Sequence, residues 1–455
     1  MSREDREKKF RAEIRELQLM AENLVNFGQQ IGADEVEVTV ATGQEFSVNI
    51  RQQEIEDLTE ANFRLLSFRV IKDKRTASAN SSDLSPETIK NLMKAAIQRA
   101  TIANPDGYSG LPSSLEPHVD PASLKLYDPE ILAIDPRSKI NLALETEKIA
   151  LSDHRISNSH GANFATSVAA IILANSNGFS DYYEVTSFNL GVGLQAGETD
   201  ERVEDGWFSS RRFFRELDPP EIIARKAVER TVRLLKPKKI KTQTVPVIFE
   251  PPMTAWLLGF LFTCVAGTSI YQKASFLVDK LGEKIAGTNV TVLDDGLIPG
   301  KLGSRPFDSE GVPTRRTPVI ESGVLKNYLC NTYAARKLNL SSTGNADGSG
   351  VSPNNFYLVP GQLSLAEIVS SLRKGLILTK TIGHGLNPVT GDISRGAFGL
   401  WVEGGEVAYP VSEITIAGNL GEILANIESI GNDLGYETAV CGPSIKVAEL
   451  TVAGE

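Results

Sequence analysis

The sequence predicts an α+β fold: an N-terminal α/β domain with an antiparallel sheet and flanking helices, then a C-terminal mainly-β, barrel-like domain. Three observations carry this. Apolar spacing switches from helical to strand-like and back twice before residue 235. A run of 22 uncharged residues, Pro251 to Gln272, then interrupts the pattern, and short β-type runs broken by glycine fill the remainder. At 455 residues the chain can bury two full cores, and we place the domains at 1–239 and 240–455.

The first element is a helix, because Phe10, Ile14, Leu17, Met20, Leu24 and Phe27 recur at three- and four-residue steps up to Gly28. The period then drops to two. Val36, Val38 and Val40 form one strand, Phe46, Val48 and Ile50 a second after Gly43, and Phe63 to Ile71 a third. Ser85-Pro86-Glu87 opens the closing helix, with proline at its first position. A section rich in proline and serine, Asn104 to Pro136, leads into a second round. That round has a helix from Ser138 to Leu151, strands from Asn163 to Asn175, Tyr182 to Gln195 and Gly206 to Phe214, and a helix capped by Asp218-Pro219-Pro220-Glu221. The two rounds, 1–103 and 135–235, match in pattern rather than identity, which fits an internal duplication. Their expected product is one antiparallel sheet with helices on one face.

Lys236 to Lys241 reads as a solvated linker. Beyond it, the uncharged stretch is long enough to span a bilayer, but two prolines, two glycines, three threonines, a serine and a glutamine dilute it. A helix buried in a protein core is the expectation. Strand-like runs follow at Val290 to Leu293, Val319 to Ile320 and Val324 to Leu329, and regular helix returns near Leu365 to Leu372.

Composition excludes several function classes. A net charge of −10 disfavours contact with nucleic acid. Cys264, Cys330 and Cys441 are odd in number and far apart, so no disulfide framework or zinc knuckle is encoded. The charged N-terminus lacks the apolar core of a secretory signal, so the expected location is the cytoplasm.

No catalytic motif emerges. Zinc peptidases place two imidazoles one helical turn apart with a carboxylate beside them, whereas His118, His154, His160 and His384 have no such spacing. His384, Asp392 and Ser394 supply the residue types of a hydrolytic triad without the GxSxG elbow, and an ordinary loop histidine with a backbone-bonded serine is the better reading. Gly383-His384-Gly385 opens like a nucleotide loop, but Pro388 stands where a third glycine belongs. The polar segment Ser341 to Asn355 reads as a flexible excursion, and Asp294, Asp295, Asp308 and Glu310 as turn residues accepting backbone N–H groups.

One segment remains, Gly383 to Leu420. Its glycines permit another backbone to approach, and Phe398, Trp401 and Tyr409 offer flat apolar contact, which suits an extended peptide bound by strand addition. A glycine-rich hairpin within the core explains the same residues, and at this point both readings stand.

The residues Phe307 to Leu325 (FDSEGVPTRRTPVIESGVL), Ala335 to Gly348 (ARKLNLSSTGNADG), Gly391 to Leu420 (GDISRGAFGLWVEGGEVAYPVSEITIAGNL) and Ser275 to Gly287 (SFLVDKLGEKIAG) resemble the TldD/TldE, or TldD/PmbA, family. That resemblance implies a cytoplasmic zinc peptidase of two similar subunits that acts on unfolded peptides, closed around a chamber. The TldD-type subunit carries HExxxH, whereas the corresponding helix here, MTAWLLGFLFTCVAG, has neither histidine nor glutamate. The chain thus resembles the TldE/PmbA-type subunit. The resemblance implies no catalytic residue and no metal ligand here, with zinc in an HExxxH-bearing partner. It also implies a chamber lined by Asp392, Ser394, Arg395 and Gly396. His384 and Trp401 join these as substrate or partner contacts, and Arg395 suits a peptide carbonyl or carboxylate. Two alternatives differ in class: a homodimeric peptide-binding or regulatory protein, and an independent hydrolase using Ser394 or Cys441. The family's older label, modulator of DNA gyrase, gains no support from an acidic chain.

Overall fold

The helical stripe becomes α1 (Arg3–Gln30), which buries Ile14, Leu17, Ala21, Leu24 and Val25. The computed structural model describes residues 3–113, 117, 119–198 and 202–455. After α1 come β1 (Glu35–Arg51), β2 (Glu54–Lys72), β3 (Arg75–Ser81) and α2 (Pro86–Ile102). The second round is α3 (Pro136–Leu151), β4 (Ile156–Asn175), β5 (Ser180–Ala196), β6 (Val203–Arg211) and α4 (Pro220–Val232). All six strands form one antiparallel sheet in the order β3-β2-β1-β4-β5-β6, so β1 and β4 join the two rounds at its centre.

Three expectations need correction here. Gly43 does not divide two strands: β1 runs through it, and a Cβ there would lie 2.1 Å from the carbonyl oxygen of Val168 on β4. The glycine marks a close approach between strands. β3 was not expected, because RTASANS lacks the large apolar residues that signal a strand. Asp218 does not cap α4, whose N-cap is Pro219.

The turn between β1 and β2 holds Gln52 and Gln53 at φ 55° and 61°, a conformation glycine or asparagine usually supplies. Glu147 of α3 offsets the strain, its buried carboxylate accepting the N–H of Gln52 at 3.1 Å and of Gln53 at 2.7 Å. Val36, Val38 and Val40 pack with α1 and α2, and Phe46, Val48 and Ile50 with α3 and α4. These even-numbered side chains share one face of β1, so the helices cover one face of the sheet.

The C-terminal part begins with β7 (Gln243–Phe249), α5 (Pro251–Val265), α6 (Gly267–Tyr271), β8 (Val292–Asp295), β9 (Arg316–Glu321) and β10 (Val324–Leu325). It continues through α7 (Thr332–Leu338), β11 (Ala346–Asp347), β12 (Gly350–Val351), β13 (Asn355–Leu358), α8 (Leu365–Ser370), β14 (Lys374–Ile382) and β15 (Leu386–Asn387). It ends with β16 (Asp392–Glu403), β17 (Glu406–Asn419), α9 (Leu420–Ala425), β18 (Ile427–Ile430), β19 (Val440–Cys441) and β20 (Ile445–Ala453). Strands β7, β20, β17, β16 and β14 pair in a ring, because β14 bonds both β7 and β16, and this closes a five-stranded barrel. A second sheet, β10-β9-β8-β13-β19, lies beside it. The apolar stretch becomes α5, which contacts β7 and β14 of the barrel and β13 and β19 of the second sheet, burying Leu257, Leu258, Leu261 and Val265. No helix among the described residues is long and apolar enough to cross a membrane. The short helices α6, α7 and α9 escaped the sequence pattern.

The barrel meets the N-terminal helices through Ile248, Ile377, Leu400 and Val402, which join the core beneath α3 and α4. On the opposite face of the sheet, Leu173 and Phe179 pack on Phe307.

Candidate functional site

The helix α5 sets the site. Two prolines start it, and Glu250, at the N-cap position, turns its carboxylate to α4 instead: Arg233 donates to it at 2.7 and 2.8 Å and Arg230 at 3.3 Å. This fixes the entry to α5. One side of the helix sinks into the core, while Pro252, Ala255, Trp256 and Gly259 are half-buried and Thr263 is exposed. A Cβ at Gly259 would meet nothing within 4 Å, so the chain leaves open space along this side.

Beside it runs the N-terminal end of β16. Ile393 and Ala397 point into the core, 3% and 2% exposed. Arg395 shares their side of the strand and lays its guanidinium over Trp256, 5.3 Å from the ring centroid. Asp392, Ser394 and Gly396 alternate to the other side, and the carboxylate of Asp392 accepts from Thr390 at 2.6 Å and Asn419 at 3.0 Å. Those bonds hold its pKa below the usual carboxylate range, Thr390 contributing most. The preceding loop closes on β16 where Ser394 donates its N–H to Gly385 at 2.8 Å.

The structure therefore gathers Asp392, Ser394, Arg395 and Gly396 at one end of β16, with His384 exposed on the adjoining loop. Among the described residues, no hydrogen bond links the side chains of His384, Asp392 and Ser394, and Asp392 is committed to Thr390 and Asn419. Trp401 corrects the expectation of a surface contact. It lies six residues along β16, roughly 20 Å away, and is 1% exposed, with its indole donating to Glu403 at 3.0 Å. Sequence reasoning missed Trp256. An aromatic within an otherwise aliphatic helix was the available signal.

Gly385 has φ +138°, and a Cβ there would lie 1.8 Å from the carbonyl oxygen of Ser394. Gly385→Ala should cost about 2 kcal/mol or more, against about 1 kcal/mol for Gly383→Ala, where φ is +83° and nothing crowds the position. Urea unfolding of both variants checks this. Equal losses would show that the loop does not need the close approach.

The polar segment 341–355 is also corrected, since it is a buried scaffold rather than a flexible excursion. Asn345 and Asn354 donate side-chain N–H groups to Asp294 at 2.8 and 2.9 Å, and exposure is confined to Ser341 and to the tip at Asp347, Gly348 and Ser349. The neighbouring carboxylates behave as expected of turn residues. Asp308 accepts the backbone N–H of Glu310, Val312 and Ala346 at 2.9, 3.0 and 2.9 Å, Glu310 accepts that of Thr332 at 2.8 Å, and Asp295 that of Leu297 at 2.9 Å. Arg69 of β2 bridges Glu37 at 3.2 Å and Glu310 at 3.4 Å, placing three buried carboxylates, Glu37, Asp308 and Glu310, where sheet and C-terminal part meet.

The described residues offer a zinc ion no ligand set. Among the described residues no group of three or more His, Cys, Asp or Glu side chains can hold a metal, and His118 lies outside them. Cys441, near α5, is buried, and burial pushes its thiol up to about 12, as it does those of Cys264 and Cys330. A thiol held protonated is neither a ligand nor a nucleophile.

Comparison with known proteins bears on this geometry. Three family models match in order: PmbA/TldA metallopeptidase domain 1 at residues 36–100, the central domain at 129–235 and the C-terminal domain at 242–454. Similar relatives include Metalloprotease PmbA of Escherichia coli O157:H7, 35% identical over 93% of both chains, and the Metalloprotease PmbA homolog of Haemophilus influenzae, 34% identical over 98% of both. A putative modulator of a DNA gyrase from Thermotoga maritima superposes with TM-score 0.89 at 26% identity, covering 96% of this chain and 100% of that one. TldE from Thermococcus kodakarensis gives TM-score 0.86 at 26% identity, covering 96% and 100%.

Proposed function

We propose, for a chain that belongs to the PmbA/TldD metallopeptidase family, the role of the subunit that holds an unfolded peptide for a zinc-bearing companion. One observation carries the proposal: α5, which the resemblance sets opposite the family's metal-binding segment, has no histidine or acidic residue in its 15 positions. It presents instead an uncharged side flanked by Arg395. The proposed companion is a TldD-type, HExxxH-bearing subunit, which would supply the metal and its activated water. In this reading the two domains, 1–239 and 240–455, form half of a closed chamber. His384, Asp392, Ser394, Arg395 and Gly396 lie at its peptide-facing edge. Three free cysteines, each buried, suit a reducing cytoplasm.

The test is cleavage of an unfolded peptide by this chain, by an HExxxH-bearing companion and by their mixture, with and without a chelator. Cleavage should need both chains and disappear with the chelator. Chelator-sensitive cleavage by this chain alone would overturn the proposal, and a stable homodimer that ignores the companion would favour the regulatory alternative.

A further inference from the structure

We propose that Arg395, stacked on Trp256, is a receptor for a carboxylate of an extended peptide, an inference that rests on reading this chain as the peptide-holding half. Arg395 occupies a position whose strand neighbours on the same side, Ile393 and Ala397, are core residues. The guanidinium there is half-buried, and an arginine so placed commonly pairs with a carboxylate. Arg395 has none. Among the described residues it forms no salt bridge, and its one hydrogen bond is a long one from Nε to the carbonyl oxygen of Ile382, at 3.4 Å.

The Trp256 ring, its centroid 5.3 Å from the guanidinium carbon, attracts the cation and gives it an apolar face to rest against. Nε is engaged, while among the described residues Nη1 and Nη2 have no hydrogen-bond partner and form a planar fork of donors. That fork matches a planar, singly charged carboxylate bidentately. The indole Nε1 of Trp256 is itself buried without a hydrogen-bond partner, so the contact leaves a donor free on the ring as well. No acidic residue of α5 competes, and the open space at Gly259, one turn beyond Trp256, leaves room for the apolar side chain next to such a carboxylate. The carboxylate is either the free C-terminus of the peptide or an aspartate or glutamate side chain within it.

The experiment uses the full chain without any companion and an acetylated pentapeptide of alanine and leucine in three forms. One has a free C-terminus, one a C-terminal amide, and one the amide with an internal glutamate. Binding is followed by calorimetry and by tryptophan emission, with Trp256→Phe identifying the signal of that ring. At least one carboxylate-bearing form should bind about tenfold tighter than the plain amide and change Trp256 emission. Whichever form does so names the source. Arg395→Gln should erase that preference by weakening the carboxylate-bearing form most, while Arg395→Lys, keeping the charge and losing the fork, should retain part of it. Equal binding of all three forms, absence of binding by any, or an equal loss for all three in a folded Arg395→Gln protein would overturn the inference. Cleavage is not the readout. A missing carboxylate preference therefore leaves a two-chain cleavage result intact, and a failed cleavage reconstitution leaves the preference intact.

Discussion

Replacing Glu250 with alanine is expected to cost about 4 kcal/mol, the largest single-residue loss we anticipate, because it strips a partner from two partly buried cations at once. Glu250 is 5% exposed and binds Arg233 through both oxygens and Arg230 through one, and Arg230 also reaches Asp205 of β6 at 3.0 Å. The carboxylate ties α4 to the start of α5. Its loss takes from Arg233 its salt-bridge partner, leaving only the more distant charges of Asp205 and Glu229, and frees the N-terminal turn of the helix that carries Trp256. Urea unfolding should report the loss, and Glu250→Gln, which keeps the volume and one acceptor, should recover less than half. A loss below about 1 kcal/mol for the alanine variant would mean the arginines find water instead.

The second large effect is on pH dependence. Burial raises Glu37 and Asp308 to about 7 and Asp294 to about 6. For Glu37, Arg69 opposes that shift while Glu310 and Asp308 reinforce it; for Asp308, Glu310 adds to it and Arg305 opposes it. These folded values lie above those of the unfolded chain, so the folded state holds more protons between them. The stabilisation is complete below the unfolded pKa, near 4.5 for Glu37, and is lost as pH rises through about 7. Stability to urea should thus be higher near pH 5 than at pH 8, by an amount on the order of 3 kcal/mol. Glu37→Gln should flatten part of that slope and leave the variant the more stable of the two at pH 8. A native slope of the opposite sign, or an unchanged slope in the variant, would refute the assignment.

Much of the fold is legible in the sequence, and what escapes has identifiable causes. The α1 stripe, the proline-marked start of α2 and the uncharged α5 declare themselves locally, because helix spacing and chain punctuation are short-range signals. Gly43 misleads because its reason lies on β4, far along the chain, where the Val168 carbonyl would meet any Cβ. The asparagines of 341–355 read as exposed polar residues until Asp294 is placed beneath them. Trp401 is quoted by the same motif as Arg395, yet the barrel buries it and leaves Arg395 at the edge. The site needed α5 and β16 side by side, a contact between segments more than a hundred residues apart that no local pattern contains.

The closure of the barrel has a consequence for synthesis. The first strand of the ring, β7, pairs with the last, β20, and with β14. The ring therefore cannot close until β20 has left the ribosome. The N-terminal sheet is complete once β6 has emerged and is free to form earlier. During the interval the emerging strands of the future barrel carry unpaired edges, the state in which strands join the wrong neighbour. Loss of β20, Ile445–Ala453, would leave β7 without one of its two neighbours. A chain released early at that point would then be a substrate for quality control, not a shortened version of the same protein.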